Sequence, residues 1–279
     1  MTDHLDKAPA PLLAEAVDIA RRAGSLLREM FYQPREVGFK GKIDLVTDAD
    51  KASEALIGDL LAERFPDHEL LAEEAAGGRV PRPESFPPYL WVVDPLDGTT
   101  NYAHNLPQFC VSVGLLIDGV PALGAVYDPL RDEMFHGGRG LGAFLNDQPI
   151  RVSRQVALKR SLLATGFPYD IATSPYNNLD NFTRFCYTCQ AIRRMGAAAL
   201  DLCYVACGRY DGFWELKLYP WDTTAAASFL PEAGGVITDF AGKPYDPFGL
   251  EVLACNGLIF DEMTAIIRQR STGEDADAS

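Results

Sequence analysis

The sequence predicts a mixed α/β protein whose two halves pack closely as one unit. Three patterns carry this expectation. Leu13, Ala16, Val17, Ala20, Ala23, Leu27, Met30 and Phe31 recur at helical spacing over about 12–31. From Phe109 onward the pattern changes to short extended runs separated by turn pairs. After "SLLATGFPYD" helical and extended patterns alternate, as in α/β architectures.

Taken in order, the first helix stops before Pro34. A second runs from about Asp50 to Phe65, with Ala52, Leu56, Ile57, Leu60 and Leu61 as its apolar stripe and Pro66-Asp67 as its stop. Between them "FKGKIDLVTDAD" reads as an exposed linker or hairpin, with Asp44 and Asp48 in local structure or capping roles. "CVSVGLLIDG", "VPALGAVYDP", "EMFHGG" and "GAFLNDQPIRVS" form an antiparallel meander, its turns at Asp118-Gly119 and Asn146-Asp147. The second half then gives a helix around 177–190, a strand near 192–195, a helix over about 197–206 and the strand "YDGFWEL". A helix in "WDTTAAASFLPEAGG" stops at Gly234-Gly235, before the strands "VITDFAG" and "EVLACNG" and a last helix over about 261–270. No repeat or low-complexity linker interrupts the chain, so residues 1–270 are expected to be one unit, with halves at about 1–152 and 153–270. Residues 271–279, "STGEDADAS" after Arg270, read as a disordered acidic tail.

Composition narrows the function. With 47% apolar residues a packed core is assured, and no apolar run is long enough to span a bilayer. The start lacks the plan of a secretion signal, so the expected location is the cytoplasm. A net charge of −14, from 39 acids against 25 bases, opposes direct nucleic-acid binding through phosphate repulsion. An acidic protein can still accept an anionic substrate if bound cations neutralise its inward carboxylates. Cys186-x-x-Cys189 and Cys203-x-x-x-Cys207 have zinc-like spacing, but the second pair lies on an apolar helical pattern where cysteine acts as a small hydrophobe. H-E-x-x-H, G-x-S-x-G and G-x-x-x-x-G-K-[ST] patterns are missing, which removes the obvious protease, esterase and nucleotide-hydrolase chemistries.

The chemistry concentrates in "WVVDPLDGTTNYAHNLP". A buried strand leads into Asp94 and Asp97, Pro95 and Gly98 turn the chain, and a helix near Thr99 would present free N–H groups to a phosphate. Taken alone, D-x-x-D-G also fits a polar turn. Glu73 and Glu74 in "LLAEEAAGG" also fit a solvated helix end, and Asp222 in "PWDTTAAASF" also fits an N-cap.

In this order and at these separations, "EE", "WVVDPLDGTTNY" and "WDTTAAASFLPEAGG" resemble the inositol monophosphatase family, from the first helix to "LACNG". The resemblance implies a layered α-β-α-β-α sugar phosphatase fold and a homodimer. It also implies dependence on two or three Mg²⁺ ions and lithium sensitivity. It makes Glu73, Asp94, Asp97 and Asp222 metal-binding side chains, with the Leu96 carbonyl as a further ligand; hard oxygen donors of this kind suit Mg²⁺. Gly98 and Thr99 would bind phosphate, with Lys40 nearby and Lys42 as a competing candidate. The Thr99 hydroxyl, linked to Asp50, would help Glu73 orient the attacking water. Asp97, Gly196, Ala198, Glu215 and Asp222 would contact a polyol. Arg193 and Arg194 read as surface or interface residues, with a second phosphate as the alternative contact. Tyr219 and Pro220 depart from animal members and look more like bacterial ones. The expected reaction is hydrolysis of inositol 1-phosphate or a related polyol phosphate. The alternatives are fructose-1,6-bisphosphatase, histidinol phosphatase and 3′-phosphoadenosine phosphatase activity, or a protein-binding role in transcription and ribosomal RNA maturation.

Overall fold

The computed structural model describes residues 9–33, 37–39, 45–78, 80 and 82–268. Lys40, Lys42, Asp44 and the tail at 271–279 lie outside them. The chain opens with α1 (Ala10–Phe31), which buries Ala16, Ile19, Ala20, Ala23 and Leu27 completely. β1 (Val37–Phe39) and β2 (Leu45–Thr47) pair antiparallel, and α2 (Asp48–Arg64) follows directly. Thr47 starts that helix: its N–H and hydroxyl both donate to Asp50 Oδ2, at 2.7 and 2.6 Å.

A seven-stranded sheet forms next, in the order β3 (Glu69–Ala72), β4 (Tyr89–Asp97), β5 (Cys110–Ile117), β6 (Val120–Asp128), β7 (Glu133–Gly138), β8 (Gly142–Leu145) and β9 (Gln148–Pro149). Only its β3/β4 pair is parallel; β5 to β9 are the meander the alternation predicted, and β4 joins its edge antiparallel to β5. The first hairpin turns at Asp118 and Gly119, both at positive φ, as a tight turn between twisted strands requires. The short helices α3 (Glu73–Ala76) and α4 (Thr99–Ala103) sit at the ends of β3 and β4.

The second half contributes β10 (Leu162–Thr165), α5 (Leu179–Thr188), β11 (Ala191–Arg193), α6 (Ala198–Ala206), β12 (Gly212–Leu216) and α7 (Pro220–Phe229), then β13 (Val236–Thr238), β14 (Glu251–Cys255) and α8 (Phe260–Ile267). Its five strands run in the order β11-β10-β12-β14-β13, parallel around β10 and antiparallel elsewhere.

Packing produces five layers. α1 and α2 cover one face of the seven-stranded sheet, and α6 and α7 fill the space between the sheets. α5 and α8 close the outer face of the smaller sheet around Phe185, Trp214 and Met263. The middle layer depends on small residues. A Cβ on Gly124 would overlap the Ala225 backbone, and one on Gly114 would come 2.9 Å from Ala225 N. α7, from the second half of the chain, therefore lies directly on a sheet made by the first.

Candidate active site

The end of β4 contains a device that alternation alone does not reveal. Side chains three apart on a regular strand point to opposite faces. Here Asp94 pairs with Ser112 and Asp97 with Cys110, so three steps on β4 match two on β5. This one-residue bulge turns both aspartates to the same side. Ser112 and Cys110 mark that side: Ser112 Oγ donates to the Trp221 carbonyl at 3.1 Å, and Cys110 Sγ lies 3.6 Å from Asp97 Oδ2. The strand thus continues through both acids rather than ending before them. Gly98, at φ +96°, then reverses direction, and a Cβ there would meet Gln108 O at 2.9 Å.

Glu73 arrives through strand register. Ala72 is opposite Val93, so the next residue, the first of α3, lies beside Asp94. It begins a helix instead of ending one, because the preceding apolar stretch is the strand β3. Asp222 comes from the first turn of α7, where it is the third residue and not the N-cap; its Oδ2 accepts the Tyr219 N–H at 2.7 Å.

These four acids interact strongly. Asp94 is 2% exposed, and burial first, then the charges of Glu73, Asp97 and Asp222, push its carboxyl well above the usual range. A hydrogen bond with Glu73 adds to this, as two carboxyls sharing a proton would. Burial also raises Asp97 to about 6, a shift limited mainly by the Ala199 N–H, which donates to its Oδ2 at 2.8 Å. Asp222 is raised well above its ordinary value by burial, then by Asp97 and Glu73. Among the described residues no lysine, arginine or histidine forms an ion pair with Asp94, Asp97 or Asp222.

Thr99 connects this cluster to α2. Its Oγ1 lies 2.8 Å from Asp50 Oδ1 and 3.1 Å from the Leu96 carbonyl. With one hydroxyl hydrogen it donates to one of them at a time. Asp50 is fully buried, and burial raises its carboxyl against the opposing bonds from Thr47 and Thr99. Ser53 Oγ donates to the Pro95 carbonyl at 2.8 Å and fixes the same turn.

On the far side, Glu215, next to last in β12, lies against Gly166, where any Cβ would overlap its carboxyl group. Burial pushes Glu215 up to about 8, with Arg194 opposing and Asp97 adding to the shift. Gly196 takes φ +74° in the loop before α6, and Asn101 Nδ2 ties that loop to the segment before β5 by donating to the Met195 and Gln108 carbonyls, at 2.7 and 2.8 Å. Ala198 opens α6; its N–H and that of Ala199 are directed at Asp97. Asn101 and Ala199 were given no role by sequence reasoning, although Asn101 closes the D-G-T-T-N block. Asp201 was also missed: it is 1% exposed, its Oδ1 has no partner, and burial, then Glu215 and Asp97, raise it well above the usual range. Nothing in its helical, apolar surroundings signals this.

The donor set fits a hard cation. It is all oxygen, it is desolvated, and the acids repel one another in a way that a divalent ion would relieve. Among the described residues no three aspartate, glutamate, histidine or cysteine side chains form a ready-made coordination sphere. All six cysteines are unbridged, with Cys203 inside the middle layer as a small hydrophobe.

Comparison with known proteins identifies the family. The sequence model of the inositol monophosphatase family matches residues 8–272. An inositol-1-monophosphatase from Synechocystis is 42% identical over 250 residues, 89% of this chain and 86% of the relative. The Nus factor SuhB of Salmonella typhimurium is 39% identical, covering 92% of this chain and 96% of its own length. The solved structure of inositol monophosphatase from Anabaena superposes with a TM-score of 0.83 at 43% identity, over 94% of this chain and 96% of that one.

Proposed function

The chain belongs to the inositol monophosphatase family and is a phosphatase, and from that premise we propose that it hydrolyses inositol 1-phosphate or a related polyol phosphate with Mg²⁺. The observation that carries the proposal is the β4 bulge, which faces Asp94 and Asp97 toward Glu73 and Asp222. Glu73, Asp94, Asp97, Asp222 and the Leu96 carbonyl would hold Mg²⁺. When bound, the ion supplies the positive charge that offsets a phosphate dianion and activates water.

The protein groups do the positioning. Gly98 and Thr99 open α4, and their N–H groups, which have no acceptor within the helix, suit phosphate oxygens. With its hydrogen given to Asp50, the Thr99 hydroxyl oxygen would be left to accept from the attacking water together with Glu73. Glu215 and the Gly196–Ala198 loop would receive the polyol, the Glu215 carboxyl exchanging hydrogen bonds with adjacent hydroxyls. Phosphate release from inositol 1-phosphate, fructose 1,6-bisphosphate, histidinol phosphate and 3′-phosphoadenosine 5′-phosphate tests the reading and ranks the substrates, with and without Mg²⁺. Lithium inhibition is expected on the same reading. No Mg²⁺-dependent release from any of them would refute it.

We further propose a cytoplasmic homodimer built from one phosphatase unit. Exposed Tyr169, Tyr176, Leu179 and Tyr187 support an interface on this part of the second half, and light scattering would test it. Among the described residues no helix is long and apolar enough to cross a membrane. The similarity to a Nus factor favours a second role, binding a protein partner in transcription. A pull-down with Asp94→Asn protein would show whether such binding is separable from hydrolysis.

A further inference from the structure

Every residue of α6 is buried, and Asp201 is the only one of them that carries a charge. Its Oδ1 has no hydrogen-bond partner among the described residues. The free N–H groups of the helix start do not serve it, because those of Ala198 and Ala199 are directed at Asp97. Arg194 is close enough for its charge to act on Asp201, yet among the described residues the two form no ion pair. A buried carboxyl without a partner costs stability, whereas a leucine of similar volume would pack here without that cost. Packing alone therefore gives no reason for an acid at this position.

The helix aims this carboxyl at the polyol end of the site. Helical side chains lean toward the N-terminus and residues three apart share a face, so Asp201 is directed back toward Ala198, the first residue of α6. The charges that act on it agree: Glu215 and Asp97 from the site, opposed by Arg194, whose Nη1 would be 3.7 Å from a Cβ on Gly196. Burial does not remove such a group from ligand chemistry, since Asp94 at 2% exposure is as enclosed as Asp201 at 1%. The surroundings select an uncharged polar partner. Asp97 and Glu215 oppose a second phosphate, while Arg194 opposes a cation and burial favours the neutral carboxyl. An alcohol hydroxyl both donates and accepts, so it satisfies a carboxyl in either protonation state.

We propose that Asp201 is a specificity-determining residue of the polyol site: together with Glu215 it hydrogen-bonds a pair of substrate hydroxyls, so that the favoured phosphomonoester is that of an alcohol bearing at least two further hydroxyls. The proposal deepens the phosphatase reading and rests on it. One carboxyl comes from β12 and the other from α6, and neither touches the reacting phosphate.

The test uses the full chain with Mg²⁺ and two variants: Asp201→Leu, which removes both oxygens at similar volume, and Asp201→Asn, which keeps a donor and an acceptor. kcat/KM is measured for inositol 1-phosphate and for cyclohexyl phosphate, which has the same ring without hydroxyls. Asp201→Leu should lower kcat/KM for inositol 1-phosphate about thirtyfold, chiefly through KM, and leave that for cyclohexyl phosphate within about twofold. Asp201→Asn should keep inositol 1-phosphate within about fivefold of the wild type. Equal falls for both esters, or no fall for either, would overturn the assignment. A leucine variant that does not fold would also overturn it, because the carboxyl would then serve the fold. If the wild type hydrolyses neither ester, the phosphatase reading fails, and calorimetric titration with inositol 1-phosphate decides the role of Asp201 separately. Binding weakened by Asp201→Leu and kept by Asp201→Asn supports it; equal binding by all three proteins, or none by the wild type, refutes it.

Discussion

The two ends of α7 face the same sheet in opposite ways. Along its body, Ala225, Ala226 and Phe229 are fully buried against strands whose glycines let the backbones approach. At its first turn, Asp222 meets Glu73 and the buried Asp94 and Asp97, and burial with mutual repulsion raises the Asp94, Asp97 and Asp222 carboxyls above the usual range. One end is close-packed and satisfied. The other carries an electrostatic cost to folding that a bound cation would offset. A site that binds and releases an ion must keep its carboxylates in place when the ion is absent, and the rigid contact a few residues further along the helix does that.

The sharpest way to break this contrast is Asp94→Asn. Phosphate release should fall about a thousandfold, in line with losing a central group that stabilises charge. The metal-free protein should nevertheless melt higher at neutral pH. A carboxyl held above its unfolded value costs stability once pH exceeds the unfolded value, and asparagine removes that cost. A variant that loses both activity and stability would contradict the division between the two ends.

Gly124→Val probes the satisfied end. The new side chain must displace the Ala225 backbone, and a loss of about 3 kcal/mol in urea unfolding is expected. Thr99→Ala comes next. It removes the hydroxyl between Asp50 and the Leu96 carbonyl, and kcat should fall about a hundredfold with little change in KM.

Smaller effects refine the acid end. Glu215, pushed up to about 8, holds a proton in the fold across a window, starting near 4.5, where the unfolded chain has lost it. Stability of the chelator-treated protein should therefore decline as pH rises through that window, and Glu215→Gln should flatten the decline in unfolding curves taken at pH 5 and pH 8. Asn101→Ala, which releases the Met195 and Gln108 carbonyls, should cost about 1 kcal/mol and raise KM more than it lowers kcat.

Much of this was legible in the sequence where the signals are local. The meander was readable because its strands alternate and its turns carry Asp-Gly and Asn-Asp, and α1 because its apolar face spans several turns. Asp94, Asp97, Asp222 and Glu73 were found as a set through their family resemblance. Their convergence was less legible, because it depends on pairing between distant segments. The bulge that aligns Asp94 with Asp97 exists only in the register against β5. β3 is four residues leading into "EEAA", so Glu73 looked like a helix end. β10 is equally short, and its parallel partners come from 191–193 and 212–216. Dividing the chain near residue 152 followed the change in pattern, yet α7 crosses that line to pack on the first sheet. Asp201 stayed hidden because a buried acid inside an apolar helix has no sequence signature of its own.

The most direct test of the central claim is a thermal melt of metal-free wild-type and Asp94→Asn proteins over a Mg²⁺ titration at neutral pH. If these acids are a cation site kept in place by the packed end of α7, Mg²⁺ will raise the wild-type melting temperature with saturating dependence and leave the variant nearly unchanged. Equal responses in the two proteins, or none in the wild type, would contradict the account.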